Sequence, residues 1–314
     1  MEKSKYPEED IKTKTNVVVS IVIPAKNEAE NIAQCLDAIY SQEIEPHFHV
    51  EIIVIDSGST DNTIDIIKKY PSVHLVQIKP GDFGHGKTRN LGAEIAKGDY
   101  LVFLNADAVP MNLHWLTSLV QPLIENQNLA GVYSRHIPRE DCFLYMVRDL
   151  RTSMPDQRIT RAQAGKMDFL LFSTVSAAMR KETWLRFPFD HDIIIAEDQD
   201  WAKKVLNKGF TILYEPTSMV RHSHNYTPRQ LMENKRKVGE AEAPERFRSR
   251  LNALITGFVL MTGGIIFKAL GDMIYILFQT PRETPFSSKL KEIKISLTAR
   301  VAGFWGRYKG WLKQ

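Results

Sequence analysis

Cysteine is scarce in this chain: Cys35 and Cys142 are the two among 314 residues. Two thiols cannot build a disulfide framework or a CxxC metal site, and they suit a reducing cytosol. A one-sided charge is also missing. Lys and Arg number 41 against 37 Asp and Glu, a net of +4. No global field therefore calls for nucleic acid, and where the cations sit matters more than their sum. The opening MEKSKYPEEDIKTKTN lacks the apolar stretch of a signal peptide, so residues 1–16 read as a solvated, mobile tail. A clean transmembrane run is lacking too. Residues 251–267 carry no charge over 17 positions but hold Asn252, two threonines and three glycines, short of the ~20 predominantly apolar residues of a spanning helix. An interfacial or re-entrant helix is the expectation there, with a true span or ordinary core packing as the alternatives.

What the chain does have is a 43% hydrophobic fraction, enough for a substantial core, and an ordered alternation of patterns. Residues 17–23 (VVVSIVI) are β-branched and apolar, as in a buried strand stopped by Pro24. Residues 28–40 then show helical spacing, with Ile32, Cys35, Leu36 and Ile39 on one face. Strands are expected over 50–55, 73–78 and 100–104, with helices running to Lys69 and over 87–96. This alternation argues for βαβ units and a mainly parallel sheet, an α/β fold. Farther on, 112–125 reads as helix, 129–134 and 172–179 as strands, 135–166 as a candidate flexible loop, and 211–214 as a last strand. Glu197 and Asp198 open a helix that ends at Gly209, where acids in a first turn are also ordinary capping residues. Near the end, Leu297, Val301, Phe304, Trp305, Tyr308, Trp311 and Leu312 share a helical face beside Arg300, Arg307, Lys309 and Lys313. That pattern suits either a headgroup-level membrane helix or a helix docked on the domain. The expected division is a tail (1–16), an α/β domain (17–245) and a C-terminal helical, membrane-associating region (246–314).

The pivotal stretch is YLVFLNADAVP, residues 100–110: a buried strand that delivers Asp107 to its carboxyl end. Ligands bind along that edge of open α/β sheets. A carboxylate there is costly unless paired, hydrogen-bonded or metal-bound, although Asp also caps turns. Polar residues end two more parallel strands, at 26–28 and at Asp56, so three strand ends converge. One competing pattern lies at residues 81–88, GDFGHGKT, a literal P-loop with Lys87 and Thr88 placed for an NTPase or kinase. It follows the third strand rather than opening the sheet, and Asp82 and Phe83 are bulky for a tight phosphate loop.

Taken in order, VSIVIPAKNEAENI, IIVIDSGSTDNT, FGHGKTRNLGAEIAKGDYLVFLNADAVP, and AEDQDW followed by RHSH resemble the family 2 glycosyltransferases over residues 17–226. The resemblance implies a GT-A fold, a Rossmann-like mixed, mainly parallel sheet flanked by helices. It also implies that Ala25, Glu28 and Asp56 contact the nucleoside and that Lys87 and Arg89 lie by the diphosphate. The family's DxD metal motif here reads Asn105-Ala106-Asp107, with an amide in place of the first acid. Asp107 then becomes the acid ligand for Mg²⁺ or Mn²⁺, Asn105 a donor contact, and His222 the late histidine ligand, in preference to His224. The family's ED pair corresponds to Glu197 and Asp198, with Asp198 the general base of an inverting transfer and Glu197 a supporting acceptor contact. Most similar are bacterial rhamnosyltransferases, which implies dTDP-rhamnose as donor, a lipid-linked or polysaccharide acceptor, no nucleic acid partner, and a cytoplasmic enzyme peripheral on the inner face of the cell membrane. The rivals are the P-loop enzyme and a nucleotide-binding module whose altered DxD has lost catalysis.

Overall fold

Parallel pairing organises the first third of the chain. In the computed structural model, which describes residues 16–163, 170–281 and 283–313, β1 (Val17–Ala25) is flanked by β2 (Phe48–Asp56) and β4 (Tyr100–Leu104). An outer strand, β3 (Val73–Gln77), pairs with β2, and all four run parallel. The crossovers are α1 (Ile32–Tyr40), α2 (Thr63–Ile67) and α3 (His85–Ile95). Of the tail expected over 1–16, all but Asn16 lies outside the described residues.

The second half makes the sheet mixed. After β5 (Val109–Pro110) and α4 (Trp115–Glu125) come β6 (Leu129–Ile137), α5 (Leu144–Ser153), β7 (Ile159–Arg161), β8 (Ser176–Arg180), α6 (Lys181–Arg186), α7 (Glu197–Leu206) and β9 (Thr211–Arg221). Among the described residues the sheet has nine strands in the order β3-β2-β1-β4-β8-β6-β9-β5, with β7 also on β9. β8 is antiparallel to β4 and to β6, while β9 is parallel to β6. Both faces are covered. Val19, Ile21 and Ile23 pack with Ile32 and Leu36 of α1 and with Trp115 and Leu119 of α4. Val22, Ile53 and Ile55 face the other way, toward Ala93 of α3 and Trp201 and Val205 of α7. Such two-sided burial is what uninterrupted β-branched runs require. Gly92 lets α3 sit directly on β1 and β2, because a Cβ there would collide with Val22.

Three expectations differ in extent. Residues 135–166 are not one loop: within the described part they complete β6 and form α5 and β7. α5 draws its order from ion pairs made more than a hundred residues away, which no local pattern announces. The strand expected over 172–179 begins only at Ser176, and β9 runs to Arg221 rather than stopping at Tyr214. Glu215 interrupts β9's apolar pattern, yet it is buried and paired with Arg158.

Three long helices end the chain: α8 (Pro228–Arg246), α9 (Arg250–Phe278) and α10 (Phe286–Trp311). α8 and α10 touch backbone to backbone. A Cβ on Gly239, Gly306 or Gly310 would overlap a main-chain carbonyl of the partner helix. α9 lies against α10 and α5 through a buried charge network. Asp272 accepts from Arg300 Nε at 2.7 Å, Ser296 Oγ at 2.6 Å and Arg148 Nη1 at 2.9 Å. Asp149 of α5 receives Arg300 Nη1 at 2.5 Å and Lys268 Nζ at 2.9 Å. Satisfied networks of this kind fix one packing, because removing one partner strands a buried charge.

Candidate active site

The first two strand ends are stitched to each other. Asn27 Oδ1 accepts from Thr60 N at 2.8 Å, and Glu28 N donates to Thr63 Oγ1 at 2.8 Å. Asp56 is fully buried. Its Oδ1 accepts from the amides of Gly58 and Ser59, both at 3.0 Å, and its Oδ2 from the Ser59 hydroxyl. It therefore anchors a turn in which Gly58 has φ +83°, where a side chain would be strained and would also strike Pro80. Ala25 O receives Ser57 N at 3.0 Å and closes the same corner.

Asp107 lies where this corner meets the end of β9. Its Oδ2 is 3.5 Å from His222 Nε2 and 3.5 Å from His224 Nε2, and the three candidate ligand atoms lie within 4.8 Å of one another. Asp107 and His222 are each 8% exposed. Burial pushes the His222 imidazole down to about 4, only partly opposed by Asp107, and His224 is shifted the same way. Both rings are thus neutral near pH 7, with lone pairs to donate. His222 Nε2 is buried without a hydrogen-bond partner, a cost that a cation would remove. The donor set of one carboxylate and two imidazoles fits a divalent transition ion such as Mn²⁺ better than Mg²⁺, which prefers oxygen. Glu28 faces the same space: burial raises its pKa, the Asn31 amide at 2.8 Å opposes that, and the charge of Asp107 adds to the rise. Arg139, which the sequence did not single out, bridges Asn31 Oδ1 at 3.2 Å and the Asp107 carbonyl at 3.0 Å.

The other side of the site is built on α3 and α7. Arg89 Nη1 donates to Glu197 Oε1 at 2.7 Å, with both side chains almost fully buried, and Nη2 donates to Asn105 Oδ1 at 2.9 Å. The amide of the altered motif therefore faces Arg89. For this reason Asn105→Asp is expected to leave Mn²⁺ affinity within about twofold in a calorimetric titration, whereas a gain of ~10-fold would show that position 105 addresses the ion. Asp198 Oδ1 accepts from Gln199 N at 2.8 Å, and Oδ2 from Thr174 N at 3.3 Å. Gln199 also takes Leu171 N on its Oε1 at 2.9 Å, so it ties the 171–174 segment to the start of α7. Burial first, and the like charge of Glu197 second, raise the Asp198 carboxyl to about 6 against the pull of Arg89. Directly before the pair, Ala196 has φ +69°, a left-handed conformation that costs a non-glycine residue energy and recurs at functional sites.

The P-loop pattern does not make a phosphate cradle. Gly86 is packed away, since a Cβ there would lie 2.9 Å from Asp190 O and 3.1 Å from Phe189 Cβ. Thr88 is buried, and its Oγ1 accepts from Gly84 N at 3.4 Å. Lys87 is exposed, 4.0 Å from Asp82 Oδ1. The structure thus joins Glu28, Asp107 and His222 in one cluster and Arg89, Asn105, Glu197 and Asp198 in a second, and it leaves Lys87 in solvent.

Residues 20–185 match the family described as Glycosyl transferase family 2. The chain is 31% identical over 218 residues to the O-antigen chain rhamnosyltransferase RfbN of Salmonella typhimurium, covering 68% of each. It is also 31% identical over 186 residues to the O-antigen chain rhamnosyltransferase WbaN of Salmonella anatum, covering 57% of this chain and 58% of that one. A similar solved structure is the mannosyltransferase PcManGT of Pyrobaculum calidifontis in complex with GDP-Man and Mn²⁺, with a TM-score of 0.59, 18% identity and coverage of 93% and 88%. Staphylococcus aureus TarS follows at a TM-score of 0.55 and 18% identity, covering 88% of this chain and 48% of that one. These likenesses carry the GT-A fold and displace the NTPase reading: the chain belongs to the family 2 glycosyltransferases and is related to rhamnosyltransferases.

Proposed function

We propose that the protein is an inverting rhamnosyltransferase that moves rhamnose from dTDP-rhamnose to a hydroxyl of a lipid-linked or polysaccharide acceptor. The observation that carries the mechanism is Asp198: a half-buried carboxylate, held by two backbone amides, with its pKa raised toward neutrality. A general base works best with a pKa near the operating pH. The acceptor oxygen attacks the anomeric carbon, the bond from that carbon to the diphosphate oxygen breaks with its electron pair, and Asp198 takes the hydroxyl proton. Glu197 is paired with Arg89, and its position beside Asp198 raises the basicity of that carboxylate. Ala25, Glu28 and Asp56 form the corner for the nucleoside, with Asn105, Arg89 and Lys87 on the diphosphate side. A divalent cation on Asp107, His222 and His224 would neutralise charge developing on the leaving diphosphate.

Support for the donor comes from the two rhamnosyltransferase relatives, and support for a nucleotide-sugar with Mn²⁺ from the PcManGT complex. A donor panel tests it: dTDP-rhamnose should release its nucleotide faster than UDP- or GDP-sugars, and preference for another donor would overturn that part. Because the base must be ionised, kcat/KM should fall as pH drops through about 6, by ~10-fold per unit below the midpoint. A profile flat from pH 7 to 5 would remove Asp198 from the role.

We place the enzyme on the cytoplasmic face of the membrane, with α9 lying along the surface. This 29-residue helix is long and apolar enough to cross a bilayer. Its inner face, however, is clamped by Asp272 and Lys268 to α5, which joins β6 to β7 within the catalytic sheet. A spanning α9 would drag that part of the sheet into hydrocarbon. Its outer face, with Leu251, Ile255, Phe258, Val259, Ile266 and Phe267 exposed, has the breadth of an interfacial helix.

A further inference from the structure

We propose that a cavity between α5 and α9 binds the phosphate of an anionic phospholipid and thereby anchors the outer face of α9 in the bilayer surface. This rests on the membrane-peripheral reading above. The cavity, about 340 Å³, is lined by Arg148, Arg151, Thr152, Gly271, Ile274, Tyr275 and Gln279. Arg151 is exposed. Its Nη1 donates to the Tyr275 hydroxyl at 2.9 Å, and its guanidinium stands 5.9 Å from that ring's centroid, so the fork is oriented before any ligand arrives. Arg148 crosses over Gly271, where any Cβ would overlap its guanidinium, and one of its nitrogens is held by Asp272 at 2.9 Å. The glycine is thus the residue that lets an arginine reach this space.

The surrounding charges leave room for an anion. Among the described residues, the ion pairs here set Arg148, Lys268 and Arg300 against Asp149 and Asp272, and Arg151 adds a fourth cation to those two acids. The C-terminal ends of α5 and α9 lie nearby and subtract about half a charge each, which the excess of two outweighs. Oriented guanidinium forks match phosphate geometry. What distinguishes a lipid from a free phosphate is the rim. Ile274 lines the cavity and is 53% exposed, continuing the apolar face that Leu270 and Met273 extend along α9. A charged headgroup joined to an acyl chain satisfies both halves of the surface, and an inorganic ion satisfies one.

The test is co-sedimentation of the full chain with vesicles of phosphatidylcholine alone and of phosphatidylcholine doped with phosphatidylglycerol, using wild type, Arg151→Ala and Arg151→Lys. Wild type is expected to prefer the doped vesicles, and Arg151→Ala to lose about fivefold of that affinity, the scale of one basic residue at an anionic surface. Arg151→Lys should lose most of the same amount, because it keeps the charge and loses the fork. Soluble dihexanoyl phosphatidylglycerol should compete, and inorganic phosphate should not. If Arg151→Lys binds like wild type, or inorganic phosphate competes equally, the lipid site is overturned in favour of general surface charge or a simple anion site. Equal wild-type binding to both vesicles overturns the cavity's role and leaves the membrane reading standing. No binding to either removes both.

Discussion

Asp198→Asn is expected to lower sugar transfer by at least ~10²-fold, the usual scale for a lost general base, while donor affinity stays within about threefold of wild type. The amide is nearly isosteric and keeps an oxygen for Gln199 N, so the start of α7 should hold its shape. What it loses is the ability to accept the acceptor's proton. Stability separates this from a folding defect. A carboxyl whose folded pKa is raised to about 6 loses stability as pH rises from its ordinary value through that point, because the ionised form is the one penalised by burial and by Glu197. At pH 7 the asparagine variant escapes that penalty and should melt at the same temperature as wild type or slightly higher. Full turnover in the variant, or a collapse of its Tm, would sink the assignment.

Asp107→Ala is the second large effect. Loss of outer-shell partners alone costs 10–100-fold in metal affinity, so removing the one carboxylate among the three candidate ligands should weaken Mn²⁺ binding by at least ~10²-fold, read by calorimetry without substrate. The fold should tolerate it. With His222 neutral near pH 7, the 3.5 Å contacts are not ion pairs, and little electrostatic stability is lost when Asp107 goes. Retained Mn²⁺ affinity in Asp107→Ala would show that the ion, if it binds, sits elsewhere.

Much of this was legible in the sequence because the strands are simple. Residues 17–23 and 100–104 are buried on both faces, so their composition alone declares them, and a buried parallel strand has its carboxyl end at the ligand edge. Asp107 followed from that placement together with the family resemblance, and Asp198 from the resemblance alone. His222 was preferred to His224 on the family resemblance, since residue type cannot show which of two histidines in RHSH turns inward; the structure brings both to the same distance from Asp107. Arg139 stands in a stretch without periodicity, and its partners Asn31 and Asp107 are 108 and 32 residues away. Arg89 was placed by the diphosphate through the family resemblance. Its pairing with Glu197, 108 residues on, depends on how α3 and α7 pack, which no spacing rule encodes. The same holds for α5, whose order comes from Asp272 and Arg300.

The most direct measurement is nucleotide release from dTDP-rhamnose in the presence of acceptor, followed with Mn²⁺, then with excess EDTA, and then in Asp198→Asn. Release that requires Mn²⁺, stops with the chelator and is nearly absent in the variant is the expected result. A protein that binds the donor tightly but releases no nucleotide under any of these conditions would be a binding module, and a release rate indifferent to both EDTA and Asp198→Asn would place the chemistry away from Asp107 and Asp198.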